Sequence, residues 1–300
     1  MGNKVTSPDA VAAWERLGEY RVLAGHRIFT VAAPPLGAET LEPLLVLHGF
    51  PTSSFDFRAV LDALRRNRRV VLLDMLGYGL SDKPDIAYTI SLQADIVGAF
   101  TSELDLTTLA LLTHDMGDTV GGELLARQMD GSWPAEVTRR VLTNGSIYIE
   151  MAHLSAGQQL LLSLPDERLT ADGLIDGSAV KAGVAATFSP RSNVADEELT
   201  ALGELVAHDD GHLMLPRLIR YIEERRRHEA RFTGAIEAHP SALGIVWGRD
   251  DPIAVASMVD RLHTARADAS VSMLDGVGHY PMIESPARFV TAVDLTLGQD

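Results

Sequence analysis

Predominantly apolar runs alternate with stretches of helical periodicity through the first half of the chain, and this alternation restricts the fold more than any other feature. Pro43–His48, Arg69–Asp74, Leu106–His114 and Arg140–Asn144 read as strands without a polar face, the pattern of strands covered on both sides. Between them, Phe55–Arg66, Ser91–Glu103 and Asp118–Met129 place apolar residues at helical spacing. Strand-helix-strand alternation implies a parallel sheet with right-handed crossovers, its helices supplying the covering layers. Ahead of these, Glu19–Ala24 and Arg27–Ala33 read as a strand pair around a Gly25-His26 turn.

The alternation then stops. From Ile147 to His239 the pattern is helical, with loops at Leu164-Pro165-Asp166 and at 189–193. Leu218–Phe232 reads as one long helix crowded near its end by Arg225, Arg226, Arg227 and Arg231. Such a cluster is expected on a solvated face or at a helix end, where cations complement the macrodipole. Strands resume at Ala242–Trp247 and Val271–Leu274, with helices at Val255–Arg266 and Pro286–Leu297. The expected architecture is an α/β fold: a mostly parallel central sheet flanked by helices, with an inserted helical cap. Its divisions are 1–146 for the first part of the core, 147–239 for the cap and 240–300 for the second part.

Composition removes several function classes. Apolar residues make up 46% and charged residues 22%, the balance of a folded globular chain. Against 26 basic residues stand 41 acidic ones, a net charge of −15, so phosphate backbones and anionic headgroups are repelled. Neither nucleic acid nor a membrane surface is an expected partner. No cysteine is present, which excludes disulfides, thiolate metal sites and cysteine catalysis and suits a cytoplasmic location. No apolar stretch approaches the roughly 18 residues of a membrane span. The start, Met1-Gly2-Asn3-Lys4-Val5-Thr6, lacks the apolar core of a secretion signal. It matches an acylation pattern too short to carry weight. Arginine supplies all but three of the basic residues and alanine is abundant, as in proteins of GC-rich bacterial genomes.

Five segments carry the candidate chemistry. Leu111-Leu112-Thr113-His114-Asp115-Met116-Gly117 ends a strand and opens a helix, the setting of a nucleophile elbow, with Asp115 in the nucleophile position. The helix N-terminus would keep that carboxylate ionised, and an ionised aspartate attacks carbon without an activating base. An N-cap role is the alternative for Asp115. Leu47-His48-Gly49-Phe50-Pro51 brings the Phe50 amide to the same sheet edge, where it and the Met116 amide would form an oxyanion hole. A glycine-rich turn, Gly77-Tyr78-Gly79-Leu80-Ser81-Asp82, follows the strand that ends in Asp74. Trp247-Gly248-Arg249-Asp250-Asp251-Pro252 offers two acids, and Gly276-Val277-Gly278-His279-Tyr280-Pro281 a histidine before the last helix. Nucleophile, acid and histidine thus follow the chain order of an α/β-hydrolase. His48 and His114 flank this set, as loop-holding residues or as substrate contacts. His208-Asp209-Asp210-Gly211-His212 lacks a helix and a clear third ligand, so it reads as a solvated turn rather than a metal site. No glycine pattern fits a dinucleotide or phosphate loop, and no cofactor is expected.

Taken together these motifs resemble the α/β-hydrolase superfamily, and within it the aspartate-nucleophile branch of epoxide hydrolases and haloalkane dehalogenases. Pro51-Thr52-Ser53-Ser54, the 76–84 segment and Leu142-Thr143-Asn144-Gly145 also resemble the mesoderm-specific transcript proteins. The resemblance selects Asp251 over Asp250 as the acid, because the family places it three residues after the strand-ending glycine and directly before proline. It also implies that dehalogenases carry a tryptophan after the nucleophile and often an asparagine after His-Gly; Met116 and Phe50 stand there instead. Epoxide hydrolases use cap tyrosines as proton donors. Tyr221 occupies the later position, while Tyr148 or His153 would have to serve for the earlier one. The expected activity is therefore hydrolysis of a small-molecule epoxide, an ether-bond hydrolase reaction, with a dehalogenase or a non-catalytic binding protein as alternatives.

Overall fold

The structure, a computed structural model, describes residues 7–170 and 175–298. The N-terminal acylation pattern lies outside the described residues. Before the sheet comes a helix that the apolar pattern does not announce, α1 (Ser7–Leu17). Eight strands among the described residues form one sheet: β1 (Glu19–Leu23), β2 (His26–Ala33), β3 (Leu44–Leu47), β4 (Val70–Leu73), β5 (Thr108–His114), β6 (Glu136–Thr143), β7 (Ala242–Gly248) and β8 (Ser270–Leu274). Their spatial order is β1-β2-β4-β3-β5-β6-β7-β8. The β1–β2 and β2–β4 pairs are antiparallel and every other neighbour is parallel. Every residue of β3 and β4 is buried, as strands without a polar face require. The first hairpin turns at Ala24-Gly25 rather than Gly25-His26, because Ala24 and Gly25 both take positive φ (48° and 84°), as a tight hairpin turn demands.

The crossover helices are α2 (Leu61–Leu64), α3 (Ile90–Glu103) and α4 (Met116–Asp130). The segment expected as one helix from Phe55 to Arg66 is a 3₁₀ turn, Ser54–Phe57, followed by the single turn of α2. Thr89 caps α3 by accepting from the Leu92 amide, and Gly131 ends α4 in the left-handed conformation at φ 81°. Because strand order reverses at β3, the carboxyl ends of β3 and β5 open a crevice where such sheets bind ligands.

Between β6 and β7 lies the helical insert: α5 (Ala156–Ser163), α6 (Gly177–Ala185), α7 (Asp196–Ala207), α8 (Leu215–Leu218), α9 (Tyr221–Arg227) and α10 (Glu229–Ala238). Here the structure departs from the expected single helix over Leu218–Phe232. Three short helices replace it, with His228 leaving helical geometry at φ −119° and ψ 26°. The bend lets α10 lie against α4, where a Cβ at Gly122 would stand 2.7 Å from the Phe232 carbonyl oxygen. Buried Arg140 of β6 anchors the end of the insert, donating to the carbonyls of Ile236 (2.8 Å) and His239 (3.2 Å) and to the Ser241 hydroxyl (2.9 Å). An Arg58–Glu198 ion pair ties α7 to the core. After β7 come α11 (Ser257–Ala265), α12 (Pro281–Glu284) and α13 (Pro286–Leu297). No helix among the described residues is long and apolar enough to cross a membrane.

Two loops at the rim of the crevice are fixed by one buried carboxylate. Asp74, just past β4, accepts from the Ser54 amide (2.9 Å), the Ser54 hydroxyl (2.5 Å) and the Leu80 amide (2.8 Å). Asp74→Ala strands these donors and is expected to cost about 3 kcal/mol. A lower urea midpoint at unchanged m value is the measurement that checks it.

Candidate active site

Asp115 sits on the turn from β5 into α4 with φ 48° and ψ −109°, a backbone conformation that L-residues other than glycine seldom take. The turn closes only because its neighbours are small. A Cβ on Gly117 would lie 2.5 Å from the Leu47 carbonyl oxygen, and one on Gly49 would lie 2.6 Å from the Asp115 Cβ. The Asp115 side chain makes no capping bond to α4. Its Oδ2 instead accepts from the Phe50 amide at 2.9 Å, so the loop after β3 grips the carboxylate directly. Met116 opens α4, and its sulfur accepts from the Tyr78 hydroxyl at 3.2 Å.

His279 and Asp251 come together from the far end of the chain. His279 Nδ1 donates to Asp251 Oδ2 at 2.8 Å. Asp251 accepts three further bonds, from Asn144 Nδ2 (2.7 Å) and the amides of Ile253 (2.7 Å) and Ala254 (3.0 Å). Asp250 serves the loop instead: its amide bonds the Val277 carbonyl, and its carboxylate accepts from Ser189. Burial alone would lower the His279 pKa, but Asp251 and then Asp115 outweigh it and raise the group to about 9. The ring therefore favours its protonated form, with Asp251 hydrogen-bonded to its Nδ1.

Sequence reasoning missed two supports of this arrangement. Asn144, at φ 48° after β6, bridges Asp251 and the Gly248 amide, which its Oδ1 accepts at 2.9 Å. Its place in an Asn-Gly pair at a strand end was the available signal. Glu284 accepts from the amides of Gly278 (2.9 Å), Tyr280 (3.1 Å) and Ser189 (2.9 Å), fixing the His279 loop and joining it to the insert. Nothing in the local pattern marks it.

Tyr221 is buried on α9, its ring 5.8 Å from that of Phe50. Burial pushes its pKa well up, Asp115 adds to the rise and Arg225 offsets part of it, so the phenol keeps its proton. Tyr148 is placed differently from the expectation. Its hydroxyl donates to Glu237 at 2.6 Å, and the Arg261 guanidinium lies 3.8 Å from its ring centre. His153 is exposed, its amide bonded to the Ile253 carbonyl. Neither residue lines the cavity described below, and neither do Asp115 and Tyr221. His48 and His114 also do not line it, and both are held by backbone. His48 Nδ1 donates to the Gly49 carbonyl, and its Nε2 accepts from the Met75 amide. His114 Nε2 donates to the His279 carbonyl, and burial and then the neighbouring His279 charge lower its pKa to about 3, keeping the ring neutral.

The arginine cluster is the largest departure. Arg231 pairs with Glu123 and Asp130 near the surface, but Arg225 points inward and is 1% exposed. Its guanidinium donates to Thr119 Oγ1 (2.7 Å), the Ser146 carbonyl (2.9 Å) and the Asp115 carbonyl (3.2 Å). Behind the elbow, Asp118 is fully buried; burial, reinforced by Asp115, raises its pKa to about 8 despite the bond from Thr113.

A cavity of about 190 Å³ opens over this site. Leu161, Val180, Val184 and Leu215 of the insert wall it, and His279 and Phe50 lie on the core side. No group of acids and histidines among the described residues has the arrangement of a metal site. A carboxyl group on a strand-to-helix elbow with an N–H donor on it, a histidine–aspartate pair, and an apolar chamber lined in part by that histidine are groups that hydrolysis can use.

Comparison with known proteins agrees with this architecture. The model of the "Alpha/beta hydrolase family" matches residues 44–292. The protein named as hydrolase LipZ of Mycobacterium tuberculosis is 38% identical over 289 residues, covering 96% of this chain and 98% of that one. The mesoderm-specific transcript protein of Mus musculus is 31% identical over 296 residues, covering 94% and 86%. Among solved structures, an α/β hydrolase fold protein from Burkholderia ambifaria superposes with a TM-score of 0.73 at 25% identity, over 92% of this chain and 97% of that one. The chain belongs to the α/β hydrolase family.

Proposed function

We propose that this hydrolase belongs to the aspartate-nucleophile branch and opens a compact, largely apolar epoxide to a vicinal diol through an ester on Asp115. The observation that carries this reading is the carboxylate on the strained elbow, held by the Phe50 amide, with the protonated phenol of Tyr221 within its electrostatic reach. A serine elbow would need a base to activate the nucleophile, whereas an ionised Asp115 attacks carbon as it stands. The leaving group separates epoxides from halides. A departing halide needs N–H donors, and Met116 presents a sulfur that accepts a hydrogen bond rather than giving one. An epoxide oxygen needs a proton, which Tyr221 holds.

In the first step Asp115 attacks an epoxide carbon from the back, the C–O bond breaks and Tyr221 protonates the oxygen, leaving a hydroxy-ester and a phenolate. Ester formation erases the Asp115 charge, removing one of the carboxylates that keep His279 protonated. His279 then releases its resting proton to solvent, to be regained at the end of the cycle, and, oriented by Asp251, takes a proton from water as the hydroxide attacks the Asp115 ester carbonyl. The amides of Phe50 and Met116 serve the resulting oxyanion, each such donor being worth about 3 kcal/mol. Collapse expels the diol oxygen, which takes the proton from His279, and the proton on the regenerated Asp115 carboxyl returns to Tyr221. The insert acts as the cap, its apolar wall excluding water that would bypass the ester.

Three outcomes are expected. Styrene oxide or cyclohexene oxide yields diol, whereas 1-bromobutane yields no bromide; bromide release without diol would overturn the leaving-group argument. Asp115→Asn abolishes turnover, and His279→Gln accumulates protein heavier by the mass of one epoxide, read by intact-protein mass spectrometry after acid quench. The pH dependence follows from His279, which is raised and must lose its proton to act. Decay of a preformed ester should therefore slow as pH falls through the His279 titration, which loss of the Asp115 charge sets below the resting value of about 9, and stopped-flow single turnovers at pH 6 and pH 9 check the sign.

A further inference from the structure

Arg225 is a fully buried guanidinium, and no carboxylate among the described residues forms an ion pair with it. Removing such a charge from water is costly, so its retention needs an account. All three of its hydrogen bonds end on the nucleophile turn and the segment that leaves β6: the Asp115 carbonyl, Thr119 Oγ1 and the Ser146 carbonyl. Its guanidinium carbon also lies 5.0 Å from the centre of the Tyr221 ring, within cation–π range. Tyr221 and Arg225 are four residues apart on α9, so they share one face of the helix.

We infer that Arg225 is a positioning residue: by clamping α9 onto the Asp115 elbow and stacking on the Tyr221 ring, it fixes where the phenol stands relative to the nucleophile. The inference rests on the reading of Tyr221 as proton donor. Its logic is that of a rigid arm. The forked guanidinium takes three acceptors in one orientation, which sets the rotation of a seven-residue helix, and that rotation sets the direction of the side chain one turn earlier. The same charge favours the phenolate that forms when the proton leaves, because it offsets the burial and the Asp115 charge that oppose ionisation. Through Arg225, a residue of the insert and the core nucleophile become one unit.

The test compares Arg225→Met and Arg225→Lys with Tyr221→Phe and the Tyr221→Phe/Arg225→Met double variant. Rapid-quench mass spectrometry with styrene oxide separates ester formation from ester decay. Arg225→Met is expected to slow ester formation about a hundredfold, the scale of a misplaced catalytic group, with decay essentially unchanged. Arg225→Lys should recover part of the loss, since lysine keeps the charge without the fork. In the double variant the Arg225 change should add almost nothing to the Tyr221→Phe loss, because its effect runs through that phenol. Multiplying losses, or an equal slowing of both steps, would overturn the inference in favour of general support of the elbow. A second readout needs no substrate: the Tyr221 ring resonances, assigned by their disappearance in Tyr221→Phe, should shift in Arg225→Met. Unmoved resonances in a folded Arg225→Met protein also overturn it. Wild-type protein that forms no ester with any epoxide overturns the epoxide reading instead, and the resonances then decide the positioning claim alone.

Discussion

The whole site hangs on the turn at Asp115. Placing a reactive side chain at the tip of a strand that runs straight into a helix requires a positive φ, which costs of order 1–3 kcal/mol for a residue with a Cβ. That conformation persists because the surroundings leave no alternative. Gly49 and Gly117 let the β3 loop and the first turn of α4 close on the elbow, the Phe50 amide holds the carboxylate, and Arg225 holds the carbonyl. Other parts of the chain then follow from keeping this turn in place. Asp74 fixes the loop that leads out of Phe50, and the sheet buries β3 and β5 on both faces so that neither can shift.

Charge is distributed around the elbow with equal economy. Asp115, Asp251, His279 and Arg225 are all nearly inaccessible, and in such surroundings charges interact much more strongly than in water. Asp251 has four donors, His279 has the charges of Asp251, Asp115 and Glu284, and Arg225 has three neutral acceptors and an aromatic face. Burial pushes Asp118, which accepts from Thr113, toward its neutral form. Ester formation on Asp115 would change this balance by one unit of charge, and His279 is the group placed to feel it.

Much of this could be read from the chain. Apolar runs gave the strands because a strand covered on both faces has no choice of residue. The elbow, the Phe50 loop, Asp251 and His279 were legible because each is local: a few residues at the end of a strand, with a small residue where backbone must pass. What could not be read was long-range. A run of arginines looks the same whether a helix turns them to water or turns one inward, and only the bend at His228 decides that Arg225 meets the elbow while Arg231 meets Glu123. Tyr148 and His153 were plausible donors on chain position alone, yet Glu237 holds the first and solvent the second. The partners of Asn144 were hidden for the same reason, since Asp251 and Gly248 lie more than a hundred residues away, and so was the bond that joins Glu284 to Ser189.

The sequence by itself therefore determined the layered α/β sheet, the helical insert and the identity of the residues at the strand ends. Those follow from hydrophobic period, turn chemistry and chain order, all of which act over a few residues. Tertiary structure alone decided which tyrosine packs against Phe50, which arginine is buried and how the insert is fastened to the core. Those depend on helix rotation and on the close approach of α10 to α4 at Gly122, and no short stretch of sequence encodes the angle at which two distant helices meet.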